Sequence, residues 1–214
     1  MKRALIFDLD NTIYPVSSIA DELFESLFSV VEEYRDLLGN DELQHIKEEF
    51  TRHPYQHVAE KYSFSEDLKQ KGLDHLQNIT YNKPMFTYDG YFEISQLSVD
   101  KFLVTTGFTN LQNSKVKMLG ITDDFKEIHI VDPQISTVTK KDIFAEILNK
   151  YGYQPIEVLV IGDDPQSEIK AAKELGIDTF LFDPSNKYPG AEVTYHAKEL
   201  LVIIPMLNSK PTTL

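Results

Sequence analysis

The sequence predicts an α/β protein: a doubly wound parallel sheet into which an all-helical segment is inserted. Three observations carry this prediction. Short apolar runs of the kind seen in strands buried on both faces alternate with amphipathic helical patterns of ten or so residues. About seventy residues of helical pattern separate the first run from the second, too much for one crossover helix. Several of the apolar runs stop abruptly at carboxylates or hydroxyls.

The first run is Ala4–Phe7, ending at Asp8 and Asp10. Then Ile19, Leu23, Phe24, Leu27, Phe28, Val31, Tyr34 and Leu38 recur at three- and four-residue spacing, which predicts one long helix with Ser18 as N-cap and Gly39 at its stop. A second helix starts at Asp41, where Gln44 completes a capping-box pattern, buries Leu43, Ile46 and Phe50, and halts at Pro54. Tyr55, Val58, Ala59 and Tyr62 mark a third, and Ser63 with Glu66 opens a fourth that Gly72 interrupts. Beyond Pro84 the alternation resumes with a helix over 91–97, a strand over 101–105, a helix over 111–119 closed by Gly120, and a strand over 128–131. Lys140–Tyr151 reads as a strongly periodic helix, 157–161 as the clearest buried strand, 166–175 as a helix, 179–182 as a strand and 197–207 as a final helix. Residues 209–214 read as a loose tail. The expected domains are a core of residues 1–14 and 85–214 and a helical cap of residues 15–84.

At 214 residues the chain is long enough to bury a true core without staples. The absence of cysteine excludes disulfides and thiolate metal sites and suits a reducing compartment. Four apolar residues before Asp8 are too few for a signal-peptide core, and no apolar run approaches membrane-spanning length. The expectation is a soluble cytoplasmic protein, a monomer or homodimer. A formal charge of −13 opposes binding to a nucleic acid polymer or an anionic membrane, since either needs a basic face. A small anionic substrate would then require local positive charge or a metal.

Chemistry-bearing groups recur where predicted strands end. The first delivers Asp8 and Asp10, the second Thr105, Thr106 and Gly107, and the clear buried strand Gly162, Asp163 and Asp164. In an open α/β sheet, ligands collect outside the carboxyl ends of the strands. Carboxylates converging there would repel unless a cation or proton sat among them, and an oxygen-only set suits Mg²⁺. Lys140 and Lys141, at a helix start, bring positive charge to the same rim or form a solvated helix end.

In order along the chain, Asp8-Leu9-Asp10-Asn11-Thr12, Thr105-Thr106-Gly107, a lysine near 140, and Gly162-Asp163-Asp164 followed by Glu168 resemble the four motifs of the haloacid dehalogenase-like (HAD) hydrolase superfamily. The helical insertion resembles its type 1 cap, and the Asn-Thr-Ile-Tyr-Pro continuation of the first motif resembles its pyrimidine 5′-nucleotidase-like branch. The resemblance implies a Rossmann-like core and a Mg²⁺-dependent phosphatase acting on a small phosphorylated metabolite, such as a nucleoside monophosphate, through an aspartyl phosphate. Asp8 would be the nucleophile and Asp10 the acid that protonates the leaving group and then activates water. Thr105, Thr106, Gly107 and Lys140 would bind the substrate phosphate. Asp8, the main-chain carbonyl of Asp10, and Asp163 would hold Mg²⁺, with Asp164 and Glu168 supporting the ion through its waters or orienting the lysine.

Three departures from the family pattern stand out. Thr106 replaces a common Asn, Glu168 replaces the usual Asp, and the frequent Lys-Pro-x-Pro arrangement is missing, so Lys140 is preferred over Lys141 on a short Thr139-Lys140 to Phe144 variant. A dehalogenase would need neither Asp10 nor Asp163, which speaks against that activity. A sugar-phosphate phosphomutase would keep all four motifs, and a catalytically silent binding module is disfavoured by the intact set. Tyr14, Tyr55, Tyr62, Tyr81, Phe86 and Tyr88 are aromatic groups that either stack on a substrate or fill the cap's core.

Overall fold

The structure, a computed structural model, describes residues 1–50 and 55–208. In chain order the elements are β1 (Ala4–Phe7), α1 (Ala20–Glu32), α2 (Arg35–Leu38), α3 (Asn40–Phe50), α4 (Tyr55–Lys61), α5 (Glu66–Asn78), α6 (Tyr91–Ser95), β2 (Asp100–Thr106), α7 (Thr109–Leu119), β3 (Glu127–Val131), α8 (Lys140–Tyr151), β4 (Val158–Gly162), α9 (Glu168–Glu174), β5 (Asp178–Phe182), β6 (Tyr195–Ala197) and α10 (Ile203–Asn208). Among the described residues the strands form one parallel sheet in the order β3-β2-β1-β4-β5-β6, with β1 in the interior.

Alternation along the strands explains both faces of the sheet. Leu5, Phe7, Leu103, Leu159 and Ile161 share one apolar cluster with Tyr91 and Ile94 of α6, Val116 of α7 and Ile203 and Leu207 of α10. Ala4, Ile6, Phe102, Val104, Val158 and Val160 share the other with Phe144 and Ile147 of α8 and Ala172 of α9. Both faces are therefore dry, and the strands read as continuous apolar runs. The helices between β1 and α6 build a third cluster of their own, around Leu27, Ile46, Phe50, Tyr55, Val58 and Leu68.

Several expectations are corrected by this architecture. The predicted helix through Leu38 breaks after Glu32, because Tyr34 leaves helical geometry at φ −103°, ψ 17° while the apolar spacing continues across the turn. Ser18 does not cap it: its hydroxyl donates to the Pro15 carbonyl, and α1 begins after Ile19. Ser65, not Ser63, caps α5 by accepting from the Leu68 N–H. Gly72 does not interrupt α5; a Cβ there would lie 2.1 Å from the Tyr55 ring, so the glycine makes room for α4 to pack closely. The predicted C-terminal helix is a short strand, a 3-10 turn (Leu200–Val202) and then α10. Strand β6 leaves no periodic trace in the sequence, because it has only three residues and none of them is buried. The expected stop at Pro54 and the tail over 209–214 lie outside the described residues, as does the side chain of Asp41.

Candidate active site

The sheet's order reverses at β1, which pairs with β2 on one side and β4 on the other. A crevice forms at such a point because the connections leave in opposite directions. The three motif-bearing strand ends are thus neighbours. Asp8 follows β1 directly, its N–H donating to the Ile161 carbonyl at 2.9 Å, while Asn11 turns the chain back in a left-handed conformation at φ 56°. Thr105 is buried near the end of β2, followed by exposed Thr106 and by Gly107, whose N–H donates to Val131.

The lysine reaches this point from α8. Thr139 caps that helix in a reciprocal capping box with Asp142, so Lys140 stands at its first position with a fixed direction. Its Nζ donates to Asp8 Oδ1 at 2.7 Å and to Glu168 Oε2 at 2.8 Å, and the side chain is buried. Lys141 faces outward and pairs with exposed Glu174 at 2.7 Å. Adjacent helical residues point about 100° apart, so one can enter the crevice only if the other leaves it. Glu168 arrives from the first turn of α9, and its other oxygen accepts from the Asp164 N–H at 2.8 Å. Gly162 makes that reach possible: a Cβ there would lie 2.1 Å from Glu168 Oε1. The Asp164 carboxylate instead accepts from the Gln166 N–H at 2.8 Å and shapes the turn into α9.

Asp8, Asp163 and Glu168 each bring a carboxylate oxygen within 4.8 Å of the others. Three acids face a single ammonium, which would leave a surplus of two negative charges in a mostly buried volume if all three were ionised. Burial, with the charges of Glu168 and Asp10, pushes Asp8 up to about 8 against the opposing pull of Lys140. Burial, with Glu168 and Asp164, pushes Asp163 up to about 7. Burial alone would depress Lys140, but Asp8 and Glu168 outweigh it and raise its pKa. An all-oxygen donor set with a surplus of two charges fits a hard divalent cation. Glu168, expected to support the ion through its waters or to orient the lysine, binds the Lys140 ammonium and also brings a carboxylate oxygen to the cluster.

Asp10 belongs to a different network, one the motifs alone do not disclose. Its Oδ1 accepts from Lys115 Nζ at 2.8 Å and from the Tyr14 hydroxyl, and its Oδ2 from Gln112 Nε2 at 2.9 Å. Burial pushes this carboxyl up, but the Lys115 ammonium and the hydrogen bonds from Lys115, Tyr14 and Gln112 outweigh it and hold the group below the usual carboxylate range. Asp132, after β3, accepts from the N–H and hydroxyl of Thr109 at 2.9 Å each and so anchors the start of α7. Gln112 and Lys115 do carry a sequence signal: they interrupt, one turn apart, the apolar face that Leu111 and Val116 otherwise form. Of the aromatic side chains, Tyr14 binds Asp10, Tyr55 packs in the helical cluster, Tyr62 lies against that cluster, Tyr81 donates to Glu22, and Phe86 is exposed. Tyr88 lines a recess of about 200 Å³ with Asn11, Asp163, Ser185 and Lys187.

A family model described as haloacid dehalogenase-like hydrolase matches residues 2–176, which takes in every strand end just described. The chain belongs to the haloacid dehalogenase-like hydrolases. Among curated relatives, this hydrolase is 26% identical over 194 residues to a glyceraldehyde 3-phosphate phosphatase of Methanopyrus kandleri, spanning 84% of this chain and 83% of that one. It is 24% identical to the protein of the same name from Pyrococcus furiosus, spanning 96% and 91%. In fold the hydrolase is similar to the magnesium-bound HAD-hydrolase YfnB of Bacillus subtilis, with a TM-score of 0.66 at 21% identity over 97% of this chain and 99% of that one. A haloacid dehalogenase-like protein of Streptococcus pneumoniae gives 0.65 at 18% identity over 96% and 98%. Among the described residues, no helix is long and apolar enough to cross a membrane.

Proposed function

We propose that this hydrolase is a Mg²⁺-dependent phosphatase acting on a small phosphorylated metabolite through an aspartyl phosphate on Asp8. The observation that carries the reading is Lys140, held between Asp8 and Glu168 with the Asp163 carboxylate beside them. Asp8, Asp163 and the main-chain carbonyl of Asp10 would hold the ion, which when bound neutralises charge on the phosphoryl oxygens. In the first half-reaction an Asp8 oxygen forms a bond to phosphorus while the bond to the leaving oxygen breaks, and Asp10, ionised in the free site, takes up a proton with the substrate and gives it to that oxygen. In the second, water attacks phosphorus, Asp10 takes its proton, and the Asp8 carboxylate leaves. Lys140 and the Thr105 hydroxyl, with Thr106 and Gly107 beside it, bind the transferring group.

Two relatives named as glyceraldehyde 3-phosphate phosphatases and a partial match to a ribulose-1,5-bisphosphate 5-phosphatase of Halopiger xanaduensis favour a short phosphorylated sugar as substrate. The helical segment of residues 15–84 acts as a cap domain that closes over the crevice, and the recess beside Asp163 suits a compact leaving group. Phosphate release measured with Mg²⁺ across triose, pentose and hexose phosphates, nucleoside monophosphates and p-nitrophenyl phosphate tests the reading. Activity should collapse in Asp8→Asn; activity retained in that variant would remove Asp8 as the nucleophile.

A further inference from the structure

Helix α7 carries two buried polar side chains that take no part in either half-reaction. Lys115 is 4% exposed and Gln112 1% exposed, among Leu111 and Val116. An ammonium and an amide in such surroundings must shed water, and apolar side chains of like size would bind α7 to the sheet at least as well. Packing therefore does not account for them, whereas what they reach does. Lys115 Nζ meets one Asp10 oxygen at 2.8 Å and Gln112 Nε2 meets the other at 2.9 Å. The same amide nitrogen lies 2.7 Å from the Thr105 hydroxyl oxygen and 3.3 Å from the Thr106 carbonyl. The Tyr14 hydroxyl closes the third side of the carboxylate.

We propose that Lys115 and Gln112 are positioning residues that fix the Asp10 carboxylate relative to Thr105 and so aim the acid/base group at the leaving oxygen. One amide ties the proton-transferring group to the hydroxyl that binds a phosphoryl oxygen, so neither turns without breaking its bond to that amide. Lys115 holds the remaining Asp10 oxygen from the next turn of the same helix. The anchor of α7 at Asp132 gives this pair a fixed base, and Asn110 and Ser114 on the same helix bond the Gln77 carbonyl and the Tyr81 N–H. The inference rests on the phosphatase reading, since it concerns the proton that the leaving group receives.

The test compares kcat/KM, which reports the steps up to leaving-group departure, on two substrates. One is p-nitrophenyl phosphate, whose phenolate departs without a proton; the other is whichever alkyl phosphate of the panel the wild type cleaves fastest. Lys115→Met and Gln112→Met should each lose about 10²-fold on the alkyl phosphate, the lower range of a general-acid contribution, and stay within about fivefold on the aryl one. Lys115→Arg, which keeps a donor in reach of Asp10, should recover most of the alkyl activity. A merely structural role would lower both substrates alike, and that parallel loss, or full retention on the alkyl phosphate, overturns the proposal. Should Lys115→Met fail to fold, Gln112→Met and Lys115→Arg carry the same comparison. A wild type inactive on every phosphate of the panel would overturn the phosphatase reading together with this inference, a result distinct from parallel loss in an active enzyme.

Discussion

Lys140 and Lys141 differ in the chain only by one position, yet their surroundings assign them opposite fates. Lys140 is buried against Asp8 and Glu168, whereas Lys141 meets Glu174 in solvent. An exposed ion pair of that kind is worth little. Lys140→Ala should therefore lower turnover by about 10²-fold, as loss of one oxyanion-stabilising donor does, while Lys141→Ala stays within a few-fold of wild type. Turnover and Michaelis constant of both variants on one substrate check this, and the reversed pattern would transfer the role. Gly162 offers a second residue-scale prediction. An added methyl would sit 2.1 Å from Glu168 Oε1, so Gly162→Ala must displace the carboxylate that holds Lys140 and the Asp164 N–H. Misplacement near 1 Å in a catalytic constellation costs on the order of 10²-fold, and a loss of that size is expected in turnover, with secondary structure by circular dichroism unchanged.

At the scale of elements, the helical segment stands or falls by the contact between α4 and α5. Gly72→Ala would add helix propensity of about 1 kcal/mol, but its methyl overlaps the Tyr55 ring at 2.1 Å and threatens the buried hydroxyl bond from Tyr55 to the Leu68 carbonyl at 2.7 Å. Overpacking typically costs about 1–3 kcal/mol and a lost buried hydrogen bond about 1 kcal/mol more, so the steric effect wins. Urea denaturation should show Gly72→Ala destabilised by about 1–3 kcal/mol; a stabilised variant would mean that the helices part more readily than their packing indicates. Helix α8 was legible in the sequence to the residue, since its apolar periodicity runs unbroken from Lys140 to Tyr151. The break after Glu32 and strand β6 were not, because a turn that preserves apolar spacing and a strand of three residues leave no periodic trace.

For the whole molecule, the surplus of acid in the crevice ties stability to pH and to metal. Asp8 and Asp163 bind protons more tightly folded than unfolded, at about 8 and about 7 against the ordinary carboxylate value. This is the reverse of a salt-bridged carboxylate whose pKa is depressed: the folded state holds more protons than the unfolded one, so stability falls as pH rises from the ordinary carboxylate range toward 8. In chelator, the melting temperature should therefore drop between pH 5 and pH 8. A divalent cation replaces those protons, so Mg²⁺ should raise the melting temperature more at pH 8 than at pH 5. Equal gains at both pH values would separate the metal from the acid cluster. Local chemistry and periodicity determined a good deal of this protein from the sequence alone: a parallel α/β sheet, a helical insertion after the first strand, and acids and hydroxyls at three strand ends, because each is written within a few consecutive residues. Only the tertiary structure decided that Lys140 turns inward, that Glu168 enters the carboxylate cluster, and that Lys115 and Gln112 grip Asp10. Those contacts join residues 28 to 132 positions apart, and distance along the chain carries no signal until the strands align and bring their ends together.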